Sequence, residues 1–144
     1  MQHNNENTNA FLIHVSAFAG MLFQLGSIIT PLILWQTLKD RSQFLDDHGK
    51  EAVNFNISFG LYFFILNASF FSFIFGNIFD LFNGFDLNID FGGHHGYSNL
   101  FGFLGIISIT GAVWLIKIAL IIIAGMKANK GETYKYPLTI KFIK

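Results

Sequence analysis

Three long apolar blocks, at residues 10–38, 52–82 and 100–128, dominate the hydrophobic pattern of the chain. Each block is longer than the ~20 residues that an α-helix needs to cross the hydrocarbon core of a bilayer. The full charges inside the blocks are limited to Asp80, Lys117 and Lys127. A helix that is apolar on every side is buried in lipid or in a large protein core. The pattern therefore predicts an all-α fold, a polytopic membrane helical bundle.

The first block permits two arrangements. As one straight helix it would extend roughly 43 Å, which is longer than the bilayer core is thick. Gly26 and Pro31, two residues that disfavour helix, lie in its middle. The block is therefore either one tilted, kinked crossing or a tight helical hairpin, with arms at residues 10–25 and 28–38 and a turn at Gly26-Ser27. Three blocks thus give three or four transmembrane helices.

A polar motif separates the first two blocks. Asp46 and Asp47 are good N-cap residues, so we expect the second helix to begin there. Polar residues then recur at helical spacing and share one face, which extends into the apolar block: Asp47, Glu51, Asn54, Ser58 and Tyr62. The motif predicts a polar stripe on an otherwise apolar helix.

Composition narrows the possible classes of protein. Apolar residues make up 52% of the 144 residues and charged residues 12%, about half the charged share of a soluble domain. The formal net charge is zero, so there is no basic excess for nucleic acid. The absence of cysteine excludes disulfides and thiolate metal sites. We expect one domain, a transmembrane bundle at residues 10–129 between a polar N-terminal tail (1–9) and a C-terminal tail (130–144).

The distribution of Lys and Arg predicts the orientation in the membrane. Basic residues flank the polar motif and follow the third block, whereas residues 83–99 contain none. The positive-inside rule therefore places the motif and the C-terminus in the cytoplasm. Residues 1–9 also lack Lys and Arg, so we expect the first block to be a retained anchor and not a cleaved signal peptide. The C-terminal tail is predicted to be extended or interfacial, with Tyr134 and Tyr136 as aromatic anchors.

The polar motif is also the main candidate site, because ionisable groups in or near a bilayer are costly unless they face protein or water. The candidate residues are Asp47, His48, Lys50, Glu51 and Asn54. They could cap the helix and bond to the tail or to residues 39–43, or they could handle a solute, a proton or a partner. Lys117 is predicted to extend to the interface or to pair with an acid such as Glu51, with a transport role as the alternative.

Other candidate chemistry is weaker. Acidic and imidazole groups after the second block could bind a divalent cation, although their spacing matches no known metal motif: Asp80, Asp86, Asp90, His94 and His95. A solvated loop is the simpler interpretation. We interpret His14 as a packed, hydrogen-bonded histidine. No hydrolase, protease or phosphate-loop motif occurs, so we predict no enzyme and no cofactor.

Two polar segments carry a family resemblance. The chain resembles a family of small, uncharacterised bacterial membrane proteins in Asp47-His48-Gly49-Lys50-Glu51-Ala52-Val53-Asn54-Phe55 and in Lys127-Ala128-Asn129-Lys130-Gly131-Glu132-Thr133-Tyr134-Lys135-Tyr136-Pro137-Leu138. That family is distantly similar to the four-helix, channel-associated subunit of the chloroplast inner-envelope translocon (Tic). The resemblance favours the hairpin and a multi-pass location in the bacterial cytoplasmic membrane, but it implies no established activity. Residues 78–99 depart from the family pattern, being longer and more acidic.

We therefore predict a non-enzymatic membrane scaffold or translocation-type component. Its expected partners are membrane lipids and other membrane proteins or further copies of itself, and no nucleic acid. The alternative is a small-solute or ion transporter or channel that uses the polar face at Glu51, Asn54 and Lys117. A membrane enzyme that uses His48 and Glu51 is a third hypothesis.

Overall fold

The structure is a computed structural model and describes residues 2–23, 25–83 and 95–144. Within these ranges it contains four α-helices and no β-strand. The helices are α1 (Gln2–Val15), α2 (Gly26–Leu38), α3 (Gln43–Asn83) and α4 (His95–Asn129). Short 3-10 segments at Ser16–Met21 and Lys39–Arg41 follow α1 and α2. The all-α prediction is confirmed for the described residues.

The chain divides into two compact units. The first comprises Met1–Gly60 and Ile116–Lys144, and the second comprises Leu61–Leu115. In the first unit, the first three helices and the end of α4 contribute to one buried apolar cluster: Ala10, Ile13, Leu38, Leu45, Ala52 and Ala128. Since this cluster joins the start and the end of the sequence, the first unit depends on contacts that are distant along the chain.

The chain reverses between α1 and α2. The 3-10 segment after α1 packs directly on the start of α2, and a Cβ atom at Gly26 would overlap the Ala19 carbonyl. A Cβ at Gly20 would likewise lie 2.7 Å from Ser27 Cβ. Gly26 is the first residue of α2, whereas the sequence pattern placed it in the turn. Because it has no side chain, it permits the close approach of the 3-10 segment to α2. Pro31 lies inside α2, where the pattern allowed a kink.

Helix α3 begins earlier than the sequence pattern predicted. Its first residue is Gln43, and the backbone N–H of Leu45 donates to Ser42 Oγ at 3.4 Å. Ser42 is thus the N-cap, and the predicted caps Asp46 and Asp47 are wrong. Asp46 instead lies in the first turn, where a carboxylate suits the positive end of the helix dipole.

Helix α4 ends in a turn that contains Gly131. The Glu132 N–H donates to the Lys127 carbonyl at 3.0 Å, and the Gly131 N–H donates to the Ala128 carbonyl at 2.9 Å. These two bonds form a Schellman motif, which needs a left-handed residue; Gly131 has φ 78°. The motif turns the chain out of α4 and into the C-terminal segment, residues 133–144.

One stretch of α4, Ile107–Asn129, is the only helical segment among the described residues that is long and apolar enough to cross a membrane. Only 11% of its most apolar window is buried. A core helix of a soluble protein would be mostly buried, so this exposure favours contact with lipid. The second unit also exposes large apolar side chains, among them Phe64 and Leu104. The crossings predicted for the first two blocks, and hence the multi-pass arrangement, stay predictions.

Candidate functional site

The C-terminal segment is held against α3 by the side chain of Asn54. The Asn54 amide donates from Nδ2 to the Ile143 carbonyl at 2.8 Å. Its Oδ1 accepts from the backbone N–H groups of Phe142 and Ile143, at 3.1 and 2.9 Å. Asn54 is 2% exposed. One buried amide therefore bonds three backbone groups of the segment.

Two further residues on the same face of α3 continue this arrangement. The Ser58 hydroxyl accepts from the Ile140 N–H at 2.9 Å and donates to the Asn54 carbonyl at 2.7 Å. The Glu51 carboxylate accepts from the Tyr136 N–H at 3.4 Å. We name Glu51, Asn54 and Ser58 the docking row. Part of the polar stripe that the sequence predicts therefore contacts the backbone of the C-terminal segment.

A buried chain of three aromatic side chains lies beside the docking row. His14 Nε2 lies 2.8 Å from His48 Nδ1, and the Tyr136 hydroxyl lies 2.9 Å from His14 Nδ1. The Tyr136 ring stacks on Phe55 with centroids 3.8 Å apart. His14, His48 and Tyr136 are all buried. The chain links α1, α3 and the C-terminal segment, and the interpretation of His14 as a packed, hydrogen-bonded histidine is confirmed.

The donor rules limit the proton positions in these three side chains to two arrangements. A neutral imidazole has one donor and one acceptor nitrogen. If Tyr136 donates to His14 Nδ1, then His14 donates from Nε2 to His48 Nδ1, and His48 carries its proton on Nε2. In this order the His48 Nε2 proton has no hydrogen-bond partner among the described residues. The opposite order, in which His48 Nδ1 donates to His14 Nε2 and His14 Nδ1 donates to the Tyr136 hydroxyl, satisfies the same two contacts.

Burial keeps His48 and Tyr136, the two ends of this hydrogen-bonded series of side chains, uncharged. Burial lowers the pKa of His48, although the Asp47 carboxylate and the Glu132 backbone oppose this effect. Burial also raises the pKa of the Tyr136 hydroxyl well above its ordinary value, with smaller contributions from Tyr134 and Glu51. Both shifts disfavour the charged form, because an ion in a buried site loses its hydration. The site is neutral at its centre at physiological pH.

The start of α3 is fixed against α2 by Trp35. The Trp35 indole donates from Nε1 to Asp46 Oδ1 at 2.8 Å, and Lys50 Nζ lies 2.6 Å from Asp46 Oδ2. The hydrogen bond from Lys50 lowers the pKa of the Asp46 carboxyl, and burial opposes it. A Cβ atom at Gly49 would overlap the Trp35 ring. Gly49 therefore lets the indole lie directly on the backbone of α3.

A groove of about 340 Å³ lies between α3 and the C-terminal segment. We name it the tail groove. Its lining combines charged and polar residues of α3 with residues of the segment: Asp47, His48, Lys50, Glu51, Asn54, Thr133, Tyr134, Lys135, Lys141, Ile143 and Lys144. The five predicted site residues of the polar motif therefore all line one groove.

The other predicted site residues lie elsewhere. Lys117 is in the candidate span, does not line the groove, and is in neither ion pair found among the described residues. The suggested pairing of Lys117 with Glu51 is therefore wrong. The weak metal candidates Asp86, Asp90 and His94 lie outside the described residues, and His95 is the first residue of α4. The described residues contain no group of three or more His, Cys, Asp or Glu that could hold a metal ion.

Sequence reasoning missed several contributors to the site. Tyr136 was expected to be a membrane anchor, but it is buried and stacked on Phe55. The contribution of Trp35 was also missed, because it lies in an apolar block eleven residues before Asp46, to which its indole donates. Asn56, two residues from the docking row, bonds only within its own helix, donating to the Ala52 carbonyl at 2.9 Å.

A pH dependence follows from the lowered pKa of His48. Between its folded pKa and the unfolded value of about 6.5, the unfolded chain binds more protons than the folded chain. The contribution of His48 to stability is therefore complete above pH 6.5 and is lost as the pH falls below that value. We expect the unfolding temperature in detergent to fall between pH 7 and pH 5, and the slope to be smaller for His48→Gln. An equal slope in both proteins would contradict this assignment.

These features define a small all-α protein with one candidate membrane span among its described residues and a C-terminal segment bound to α3. A model of the magnetosome magnetite crystal formation protein family (MamF/MmsF) matches residues 5–143, so the chain belongs to that family. Its members are magnetosome membrane proteins, and the chain is accordingly a membrane protein. No curated protein and no solved structure matches the chain. The resemblance to the translocon subunit stays a hypothesis.

Proposed function

We propose that this protein is a non-enzymatic component of the magnetosome membrane that supports magnetite crystal formation as a scaffold. The observation that carries the proposal is the family match, which covers residues 5–143. The candidate span in α4 supports a permanent place in the membrane. The proposal needs no chemistry at the polar motif, only a stable surface that a neighbouring protein can contact.

The hydrogen bonds made by the polar residues of α3 support a structural role. Asn54 commits both ends of its amide to the C-terminal segment, and Glu51 accepts a backbone N–H of the same segment. A solute path through these residues would first have to displace the segment. The transporter alternative predicts flux in liposomes that Glu51→Gln and Lys117→Met abolish. Flux that survives both changes would remove these residues from such a mechanism.

The docked segment offers a surface for the scaffold role. Its backbone is held by the docking row, while Leu138, Ile140 and Phe142 are 74, 42 and 50% exposed. Apolar side chains presented on a fixed backbone suit contact with another membrane protein or a second copy. We propose that the docking row keeps this surface in one conformation.

The proposal is tested by deleting the gene in a magnetite-forming bacterium that carries it. We expect smaller or misshapen crystals in electron micrographs, and recovery on expression of the wild-type chain. Asn54→Leu should fail to restore crystal size, whereas Asn56→Leu, a buried amide that bonds only its own helix, should restore it. Immunoblots of membrane fractions must show equal amounts of the variants. Unchanged crystals in the deletion strain would contradict the proposed function.

A further inference from the structure

The tail groove has an excess of positive charge. Four lysines and two carboxylates line it: Lys50, Lys135, Lys141, Lys144, Asp47 and Glu51. Both carboxylates already accept hydrogen bonds, Asp47 from Gln43 Nε2 at 2.9 Å and Glu51 from the Tyr136 N–H. The burial of His48 lowers its pKa, so the imidazole adds no charge at neutral pH.

Three of these ammonium groups are available for a ligand. Lys50 pairs with Asp46, which does not line the groove. Lys135, Lys141 and Lys144 take part in no hydrogen bond or ion pair with any part of the chain that the structure describes. With Lys50 offset by Asp46, three lysines still outnumber the two carboxylates that line the groove, so the groove attracts an anion.

The backbone that carries the three lysines is fixed. Lys141 and Lys144 flank Phe142 and Ile143, whose backbone groups are bonded to Asn54. Lys135 precedes Tyr136, whose ring is stacked on Phe55 and whose N–H is bonded to Glu51. Because the segment is already ordered, a ligand would have to order only side chains, and preorganisation of this kind favours affinity.

The size and position of the groove indicate the class of ligand. Its volume of about 340 Å³ is at the lower end of the range for small-molecule sites, roughly 300–1,000 Å³. A phosphate group offers several acceptor oxygens to lysine point charges. The candidate span ends at Asn129, shortly before Thr133 of the groove. The positive-inside rule predicts that this end faces the cytoplasm, where the membrane surface is anionic.

We propose that the tail groove binds a phosphate-bearing anion through Lys135, Lys141 and Lys144. The phosphate belongs either to an anionic lipid headgroup or to free phosphate. Nothing in this inference depends on magnetite formation, so its test is independent of the proposed function.

The test measures thermal stabilisation of the full chain in a neutral detergent. Three additives are titrated below any micelle-forming concentration: inorganic phosphate, dihexanoyl phosphatidylglycerol and dihexanoyl phosphatidylcholine. The groove variant is Lys135→Gln/Lys141→Gln. The matched control is Arg41→Gln/Lys130→Gln, which removes the same charge from exposed positions that do not line the groove.

We expect saturable stabilisation of the wild-type chain by at least one anionic additive, and none by phosphatidylcholine. The apparent affinity should fall at least tenfold in the groove variant and less than twofold in the control. Stabilisation by inorganic phosphate identifies free phosphate as sufficient, and stabilisation by phosphatidylglycerol alone identifies the headgroup. Absence of anion binding, or an equal loss in both variants, would overturn the proposal. Lys144→Gln gives a second, milder variant, whose affinity should also fall.

Discussion

Replacement of Asn54 by leucine is expected to release the C-terminal segment from α3. The change removes three hydrogen bonds and leaves the backbone groups of Phe142 and Ile143 without their partner. Each such bond contributes roughly 0.5–1.5 kcal/mol net, so the expected loss in the free energy of unfolding is roughly 2 to 4 kcal/mol. Leucine has the same branching and number of side-chain heavy atoms as asparagine, although it is bulkier, so we expect the loss of polar contacts to dominate the effect.

Two measurements would show this release. Amide hydrogen exchange across residues 136–143 should accelerate, because backbone groups bonded to α3 become exposed to solvent. Trypsin should also cleave faster after Lys135 and Lys141. The matched control is Asn56→Leu, since that buried amide bonds only the Ala52 carbonyl and its Oδ1 has no partner. Exchange rates that are the same for Asn54→Leu and Asn56→Leu would show that the amide does not hold the segment.

The polar stripe on α3 shows what the sequence could and could not reveal. Helical spacing is local, so the face shared by Glu51, Asn54 and Ser58 could be predicted from their positions alone. What the face contacts could not, because its partners at Ile140 and Ile143 follow more than eighty residues later. The backbone groups of this segment also leave no mark in the sequence, since every residue except proline supplies the same N–H and carbonyl.

The helix boundaries, too, were predictable only in part. The end of α4 was predictable because a Schellman motif needs a left-handed residue, and glycine adopts that conformation at little cost. The start of α3 was misplaced because Ser42, Asp46 and Asp47 are all good caps. Packing decides which of them is the cap. The Asp46 carboxylate bonds the Trp35 indole, and Ser42 Oγ accepts the Leu45 N–H, so Ser42 is the N-cap.

The buried contacts of Tyr136 and His14 were the least predictable. An aromatic residue among lysines, near the end of an apolar block, fits a membrane anchor on its local pattern. Its actual position depends on the Schellman turn at Gly131 and on the docking row, which together direct the segment back over α3. Only the folded chain brings Tyr136 to His14, from opposite ends of the sequence.

Replacement of Gly49 by alanine is expected to displace Trp35 and to destabilise the contact between α2 and α3. The new Cβ would overlap the indole ring, which is buried and bonded to Asp46. The ring must move, which costs roughly 1–3 kcal/mol for overpacking and about 1 kcal/mol for the lost hydrogen bond. The better helix propensity of alanine offsets about 1 kcal/mol. The net loss is therefore about 1 to 3 kcal/mol.

The control for this prediction lies on the same helix. A Cβ at Gly60 would meet only Ile28 Cδ1, at an ordinary 3.6 Å, so Gly60→Ala should be neutral or slightly stabilising. Tryptophan emission should shift to longer wavelength in Gly49→Ala and stay unchanged in Gly60→Ala. In a Trp35→Leu background the cost of Gly49→Ala should shrink, because the colliding ring is gone. If Gly49→Ala lowers the free energy of unfolding equally in both backgrounds, overlap with the Trp35 ring is not the cause of the destabilisation.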